Sequence, residues 1–291
     1  MDAPPDKEDC EPFVRISGYL AEIGLNVPKV TESSVEQGFY LLTDLGCRAY
    51  LDHLNEDTVV PLYTDAMQAI EVMHRSGAKY ESDIPAYDRD LLHTEMALFT
   101  DWYLARHHGV DLNDAQKAMI ESTYAKLSES ALEQPKVFVH RDYHSRNLML
   151  VDENNPGILD FQDAVWGPVT YDLVSLLRDC YVAWPRQRVE SWLQDYYKRL
   201  AGDSLFEGVT PAQFLRWFDL MGIQRHLKAA GIFARLNYRD GKPGYLNDIP
   251  RTLAYVFTVA EDYQELKPFV DLLNELGIPQ TLQLQTVGRP A

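Results

Sequence analysis

Two histidines, an aspartate and an asparagine stand close together in the segment VFVHRDYHSRNLML, residues 137–150. Apolar runs flank these polar residues on both sides, a pattern that predicts a loop between two strands. A simple turn needs only residues such as Gly, Pro, Asn or Ser, whereas this loop contains titratable and amide side chains. The segment is therefore the first candidate for a chemical site.

The loop contains the pattern H-R-D-x-x-x-x-N from His140 to Asn147, and Asp160 follows thirteen residues after Asn147. Phosphoryl transfer uses such a set, because one Asp must lie near the attacking hydroxyl while an Asn and a second Asp hold a metal ion on the phosphates. Carboxylate and amide oxygens are the hard ligands that Mg²⁺ prefers. The alternative for each residue alone is a capped turn, a closed loop or a solvated strand end.

The elements that must position this loop follow from the spacing of apolar residues. It predicts a helix over 8–24, short strands at 27–30 and 38–46, and three helices between about residue 56 and the loop. After the loop, 148–152 and 158–161 predict a hairpin, and helices continue with breaks near Pro185, Gly202 to Gly208, Gly241 to Gly244 and Gly277. A small sheet-and-helix piece followed by a large helical piece is an α+β layout.

Composition limits the class of protein. A chain of 291 residues with 46% hydrophobic residues can form one large domain or two lobes. The 27 basic and 44 acidic residues give a net charge of -17, which disfavours nucleic acid and membrane surfaces as partners. Three scattered cysteines predict neither a disulfide framework nor a zinc site. We see neither a secretory signal nor a membrane-spanning run and expect a cytoplasmic protein.

The loop sequence HRDYHSRN resembles the pattern H-x-D-x-H-x-x-N of aminoglycoside phosphotransferases and choline kinases, in which a second His, here His144, follows the catalytic Asp. The resemblance implies a protein-kinase-like two-lobe fold with ATP and Mg²⁺ as cofactors. It implies that Asp142 is the catalytic base and that Asn147 and Asp160 are the metal ligands. It also implies a hinge between the lobes whose backbone holds adenine, formed by Thr43, Asp44, Leu45 and Gly46.

Four blocks resemble one branch of this family more closely: MDAPPDKED, HRDYHSRNLM, ILDFQDAVWGPVTYDLVSLLRDCYV and QRHLKAAGIFARLNYRDGKPGYLNDIPR. The branch comprises bacterial kinases that phosphorylate N-acetylmuramate and N-acetylglucosamine at the anomeric hydroxyl in peptidoglycan recycling. Residues 50–130 resemble it more loosely. The resemblance implies an amino sugar and ATP as small-molecule partners, and we expect a monomer.

A basic segment supports an anionic ligand. The segment from Arg225 to Arg251 contains six basic and two acidic residues, which gives it a local net charge of +4. Such a patch suits the lactyl carboxylate of N-acetylmuramate or the phosphates, and it disfavours a polycationic aminoglycoside. The alternatives are solvated faces of a helix and a loop and, for Arg178, an ion pair with Asp172 or Asp179. The candidate substrate residues are His144, Arg178, Arg235 and Arg239.

The sequence departs from the family at its beginning. The family's small lobe opens with a phosphate-covering hairpin and a strand that often bears a lysine, whereas this sequence contains no G-x-G and Met1 matches the end of that strand. The resemblance therefore implies a small lobe truncated at its N-terminus, with the remnant and hinge in 1–45 and a helical large lobe in 46–291. We expect weak nucleotide binding, because the backbone N–H groups of that hairpin are missing from the sequence.

Three functions remain open at this point. The first is an ATP-dependent amino-sugar kinase. The second is a phosphotransferase for another small alcohol, such as choline or an aminoglycoside. The third is a non-catalytic module that binds a sugar or a partner without the phosphate loop.

Overall fold

The computed structural model describes residues 1–4 and 9–278. Its helices are α1 Glu11–Glu22, α2 Tyr50–His53, α3 Val59–Ser76, α4 Arg89–Leu98, α5 Asp114–Leu132, α6 Tyr171–Leu177, α7 Arg186–Leu200, α8 Pro211–Asp240, α9 Ile249–Ala260 and α10 Lys267–Glu275. Its strands are β1 Val30–Ser34, β2 Phe39–Leu42, β3 Lys136–Val139, β4 Leu148–Met149, β5 Gly157–Ile158 and β6 Val165–Pro168. A π-helical segment, Phe99–His107, continues α4. Over the ranges described, no helix is long and apolar enough to cross a bilayer.

The chain forms two compact units. The strand unit comprises Met1–Ala86 and Lys136–Leu176, and it contains the strands named above. The helical unit comprises Tyr87–Pro135 and the chain from Leu177 onward. The boundary between 45 and 46 that the family resemblance implies is a different division, and it stays a prediction.

The N-terminal part of the strand unit is an antiparallel pair, β1 and β2, joined by a short turn that ends at Gly38 with φ +73°. Asp2 pairs with Phe39 on the other edge of β2. The predicted strand at 27–30 is displaced, because β1 begins only at Val30. Pro28 has no backbone N–H for a sheet, and its carbonyl accepts instead a buried hydrogen bond of 2.7 Å from Ser17 Oγ.

The second part of the strand unit supports the polar loop. β3 pairs with β6 in antiparallel register, with Val139 opposite Val165. The predicted hairpin is confirmed in a shorter form, as β4 pairs with β5 through Leu148 and Ile158. The C-terminal end of α3 lies close to β3, where a Cβ on Gly77 would lie 2.7 Å from Phe138 Cβ. Glycine at this position therefore permits the close packing beneath the loop.

The helical unit is organised around α8, whose 30 residues contact α4, α5, α9 and the π-helical segment. A Cβ on Gly231 would lie 2.3 Å from the backbone carbon of Leu98, so only glycine allows this approach. The apolar spacing from Leu91 to Tyr103 predicts one continuous α-helix. The structure changes from α-helix to π-helix at Phe99, opposite Gly231. The spacing of apolar residues does not predict this local widening of the helix.

Three buried histidines make the free energy of unfolding dependent on pH. Burial lowers the pKa of His74 to about 3, that of His140 to about 4 and that of His226 to about 3. An unfolded chain protonates histidine near pH 6.5. As the pH falls below that value, the unfolded state takes up protons that the folded state does not, so the free energy of unfolding falls until the folded pKa is reached.

We therefore expect His74→Gln to flatten the pH dependence of the free energy of unfolding. Between roughly pH 4 and pH 5.5, its slope is expected to be lower than that of the wild type by about 1.4 kcal/mol per pH unit. Urea titrations at several pH values measure this slope. His93→Gln is the control, because the side chain of His93 is 49% exposed and lies beside Glu121. Equal slopes for the His74 variant and the wild type would contradict the assignment.

Candidate active site

The polar loop begins where β3 ends, and a buried carboxylate determines its first turn. The side chains of Val137 to Val139 are buried in the strand unit, and their packing holds β3 in place. Asp172 is fully buried at the start of α6, and its two oxygens accept the backbone N–H groups of His140 at 2.7 Å and of Arg141 at 3.0 Å. Arg141 has φ +76°, a left-handed conformation in which a side chain is strained. The two hydrogen bonds that Asp172 accepts hold the chain in this turn.

The structure brings Asp142, Asn147 and Asp160 together. The Nδ2 group of Asn147 donates to the backbone carbonyl of Asp142 at 3.0 Å and to Oδ2 of Asp160 at 3.1 Å. His144 closes the loop, because its N–H donates to the Asp142 carbonyl at 3.0 Å and its own carbonyl accepts the N–H of Asn147 at 2.9 Å. The loop and the end of the hairpin thus come together, and their polar residues form one cluster.

Asp160 is positioned by its neighbours in the chain and by α1. Its backbone has φ +64°, which turns the chain two residues after the end of β5. Gln162 Nε2 donates to Asp160 Oδ1 at 2.8 Å. Phe161 is fully buried and stacks on Phe13 of α1 with ring centroids 5.0 Å apart. Asp160 itself is exposed, so its carboxylate can meet a ligand while the adjacent ring anchors the backbone.

The donor set at Asn147 and Asp160 fits a magnesium ion. The Nδ2 group of Asn147 is used by two acceptors, which leaves Oδ1 as the amide atom that suits a metal. Within the described part of the chain, no cluster of three or more His, Cys, Asp or Glu side chains could hold a metal. Two hard oxygen ligands suit Mg²⁺, which usually completes its coordination with water and phosphate oxygens.

His140 is a structural member of the loop. It is fully buried, and burial lowers the pKa of its imidazole to about 4. The N–H of Asp142 lies 3.2 Å from His140 Nδ1, and the ring meets Tyr143 edge to face at 5.5 Å. The hydroxyl of Tyr143 donates to the carbonyl of Ala66 in α3 at 2.9 Å. A neutral imidazole at physiological pH orients Asp142 and does not exchange protons with a substrate.

The predicted hinge follows β2 in the same unit. The N–H of Thr43 donates to the carbonyl of Lys29 at 3.0 Å, and the N–H of Lys29 donates to Thr43 Oγ1 at 2.9 Å. Asp44 Oδ1 accepts the N–H of Gly46 at 2.8 Å, and Gly46 has φ +80°. Leu45 is partly buried, whereas Thr43, Asp44 and Gly46 are exposed. Asp44 and Gly46 thus form a turn of the kind that commonly ends a strand.

Arg178 lies in the helical unit, and its partner differs from the predicted ones. Its side chain is 4% exposed and pairs with Asp219 of α8, not with Asp172 or Asp179. Tyr263 donates its hydroxyl to Asp219 Oδ2 at 2.7 Å, and the guanidinium of Arg178 lies 4.4 Å from the ring centre of Phe218. Arg178 pairs with Asp219 because α8 brings Asp219 against it from a distant part of the sequence. The substrate contact of Arg178 stays a prediction.

Arg235 and Arg239 also belong to the helical unit, near the C-terminal end of α8. Arg239 donates two hydrogen bonds to Asp240, of 2.7 and 2.9 Å, and is exposed. Arg235 is partly buried. The roles of both in substrate binding, like that of His144 in the loop, stay predictions.

Sequence reasoning missed three residues that shape the site, namely Phe13, Gln162 and Asp172. Phe13 reads only as part of the apolar stripe of a helix, and Gln162 has no distinctive spacing. Asp172 carries a usable signal, because it is the one acidic residue within the apolar run AVWGPVTYDLVSLL. A carboxylate in such a run must find buried donors, and here these are the first N–H groups of the loop.

We expect Asp172→Asn to destabilise the fold by about 1–3 kcal/mol, because an amide retains one acceptor oxygen and leaves one buried loop N–H group without its acceptor. Urea denaturation measures the loss. Asp163→Asn is the matched control, since Asp163 is exposed and contributes only its backbone carbonyl, at 3.2 Å, to Arg141. Equal denaturation midpoints for the Asp172 variant and the control would contradict the role of this carboxylate.

Comparison with known proteins identifies the family of this site. A family model described as the phosphotransferase enzyme family, APH, matches residues 1–211. The chain belongs to the phosphotransferase enzyme family. The loop and Asp160 lie within the matched residues, and phosphate transfer is the chemistry of the family. The sequence-based prediction of the family is confirmed.

Curated relatives support the same family at high identity. A protein from Pseudomonas putida named N-acetylmuramate/N-acetylglucosamine kinase is 47% identical over 276 residues, which are 95% of this chain and 80% of that protein. A protein of the same name from Neisseria meningitidis is 41% identical over 278 residues, which are 95% of this chain and 82% of that protein.

Solved structures with the same fold are more distant in sequence. A choline kinase from Streptococcus pneumoniae has a TM-score of 0.57 at 11% identity, covering 86% of this chain and 81% of that chain. The ADP-bound aminoglycoside phosphotransferase APH(2'')-Ib has a TM-score of 0.54 at 18% identity, covering 84% of this chain and 81% of that one. The predicted α+β, protein-kinase-like fold is confirmed.

Proposed function

We propose that this phosphotransferase is an ATP-dependent kinase that phosphorylates the anomeric hydroxyl of N-acetylmuramate and N-acetylglucosamine. The observation that carries the proposal is the position of Asn147, whose amide bonds the backbone of Asp142 and the carboxylate of Asp160. This contact unites a candidate base with two candidate metal ligands. Relatives at 41–47% identity with kinase names support the choice of acceptor.

In the proposed reaction, Asp142 orients the anomeric hydroxyl and accepts its proton. The hydroxyl oxygen then forms a bond to the γ-phosphorus of ATP, and the bond between that phosphorus and the bridging oxygen of ADP breaks. Asn147 and Asp160 would hold Mg²⁺, which neutralises charge on the phosphates when it is bound. Positioning of the reacting groups and charge stabilisation supply most of the rate.

The remaining candidates take supporting roles in this proposal. The backbone from Thr43 to Gly46 would hold adenine, and Thr43, Asp44 and Gly46 of this turn are exposed. His144, Arg178, Arg235 and Arg239 are proposed acceptor contacts. We also propose that the protein is a cytoplasmic monomer.

Phosphate transfer from Mg·ATP to the two amino sugars tests the function. The product is read by mass and by phosphorus NMR, with choline and kanamycin as parallel acceptors. A sugar 1-phosphate from N-acetylmuramate and N-acetylglucosamine is the expected result. Transfer to choline or kanamycin with no transfer to either sugar would overturn the choice of acceptor, and Mg·ATP binding without transfer to any acceptor would favour a binding module.

A further inference from the structure

The turn between β5 and β6 carries a side chain that the proposed reaction does not use. Gln162 lies in this turn, two positions after Asp160. The N–H of Ala164 donates to the carbonyl of Phe161 at 3.1 Å and closes the turn around Gln162. Phe161 and Ala164 are both buried. The backbone of Gln162 is therefore anchored on both sides, and the fold determines where its side chain can reach.

A further contact joins this turn to the polar loop. The Nη1 group of Arg141 donates to the carbonyl of Asp163 at 3.2 Å, and the N–H of Arg141 donates to the buried carboxylate of Asp172 at 3.0 Å. The turn and the loop belong to the same strand unit. Their relative positions are thus fixed by hydrogen bonds within that unit, and Gln162 keeps a constant place beside the loop.

The carboxylate of Asp160 accepts a hydrogen bond from a side-chain amide on each of its oxygens. Gln162 Nε2 donates to Oδ1 at 2.8 Å, and Asn147 Nδ2 donates to Oδ2 at 3.1 Å. One such bond would leave an exposed carboxylate free to rotate about its side-chain torsions, whereas bonds on both oxygens fix its plane. An ionised carboxylate has about four lone-pair sites, so about two stay open for a metal ion.

The chemistry of the donor also suits a metal ligand. The amide of Gln162 is neutral, so it orients Asp160 without cancelling the negative charge that attracts a cation. A lysine or arginine in the same place would form an ion pair with the carboxylate and compete with the metal. An amide on this turn therefore prepares the carboxylate for a cation.

We propose that Gln162 is a positioning residue of the candidate magnesium site, which orients the carboxylate of Asp160 and thereby raises the affinity of the site for the metal ion. The inference rests on the proposed function, since Asn147 and Asp160 are the metal ligands of that proposal. Groups that orient a ligating side chain by a hydrogen bond typically contribute about 10- to 100-fold in metal affinity. Loss of the amide weakens metal binding and leaves Asp142 in place.

The test is Gln162→Met, because methionine has a similar length and donates no hydrogen bond. We expect the Mg²⁺ concentration that gives a half-maximal rate to rise by about 10- to 100-fold, while kcat at saturating Mg²⁺ and the KM for N-acetylmuramate stay within about twofold. Gln68→Met is the matched control, because Gln68 is exposed on α3 of the same unit, and its loss leaves the Mg²⁺ dependence unchanged.

Binding of Mn²⁺ alone provides a readout that does not depend on turnover. The EPR signal of the free ion reports how much Mn²⁺ the protein binds, and the binding that remains in Asp160→Asn measures other sites on this acidic chain. We expect the Asp160-dependent affinity for Mn²⁺ to fall by about 10- to 100-fold in Gln162→Met. The Gln68 variant should match the wild type.

A second variant, Gln162→Asn, is used if the methionine variant does not fold. Asparagine is favoured in turns and keeps the amide, but its side chain is one methylene shorter and loses the bond to Asp160. We expect it to weaken metal binding in the same direction. An unchanged Mg²⁺ dependence in a folded variant would overturn the assignment. So would an increase confined to the KM for ATP at saturating Mg²⁺, which would place Gln162 on the nucleotide.

The two proposals can fail separately. If the wild type phosphorylates neither sugar, the proposed function fails, and the Mn²⁺ titration alone decides the role of Gln162. Weaker Asp160-dependent binding of Mn²⁺ in Gln162→Met than in the wild type supports the role. Equal affinity, or no Asp160-dependent binding by the wild type, overturns it.

Discussion

Replacing Asp142 with Asn is expected to lower kcat by about 10²- to 10⁴-fold, the range for loss of a general base. The amide occupies the same space and cannot accept the proton of the hydroxyl. The loop should keep its shape, because Asp142 contacts His140, His144 and Asn147 through its backbone N–H and carbonyl. Steady-state kinetics with N-acetylmuramate and Mg·ATP measure the effect, and a thermal melt reports on the fold.

The control for this experiment is Asp152→Asn in the same unit. Asp152 is 89% exposed and contacts Arg48 at the surface, so its loss removes one negative charge without touching the loop. Full activity in the Asp142 variant would remove this residue from the mechanism. A fall in both activity and melting temperature would assign it a structural role instead.

Replacing Arg178 with Leu is expected to destabilise the protein by about 3–5 kcal/mol, because it leaves Asp219 buried without its counter-charge. The side chain of Asp219 is 2% exposed, and in the variant it keeps its hydrogen bond from the hydroxyl of Tyr263. Leucine also loses the contact of the guanidinium with the face of Phe218. Urea denaturation of the variant and the wild type measures the difference.

A double variant separates the two parts of this loss. Arg178→Leu combined with Asp219→Leu removes both charges, and we expect it to recover much of the lost stability, since an apolar pair carries no unmet charge. Lys198→Ala is the surface control, because Lys198 and Asp195 are 70% and 56% exposed, and it should cost less than about 0.5 kcal/mol. Stability in the single variant equal to that of the control would contradict the buried pair.

The same variants examine the predicted contact of Arg178 with the acceptor. A residue that acts only through the buried pair changes stability and leaves the KM values of the folded protein unchanged. If the double variant regains stability and its KM for the sugar is still raised, Arg178 also takes part in binding.

Much of the candidate site could be predicted from the sequence, because its groups lie close together along the chain. His140 to Asn147 form one short loop, and a hairpin is the simplest connection that returns Asp160 to it. Turn chemistry also located the break after β2, where Asp44 and Gly46 form a local hydrogen bond of 2.8 Å. Such features depend on neighbouring residues, and neighbouring residues are what sequence patterns report.

Element boundaries were less predictable. The strand expected at 27–30 begins at Val30, since the pairing of β1 with β2 depends on partners rather than on apolar content alone. The change from α to π helix at Phe99 lies opposite Gly231, which is far along the chain. Both features depend on residues elsewhere in the chain, so the apolar spacing within one segment cannot predict them.

The sequence by itself determined which residues are candidates for the chemistry, namely a candidate base, two candidate metal ligands and a candidate turn for the nucleotide, because residue type and short spacing encode these. Only the tertiary structure decided which charges meet. Asp172 lies 32 residues from His140 and holds the loop, and Arg178 lies 41 residues from Asp219 and pairs with it. Whether a charge is compensated depends on which helices come into contact, and that is a property of the whole fold.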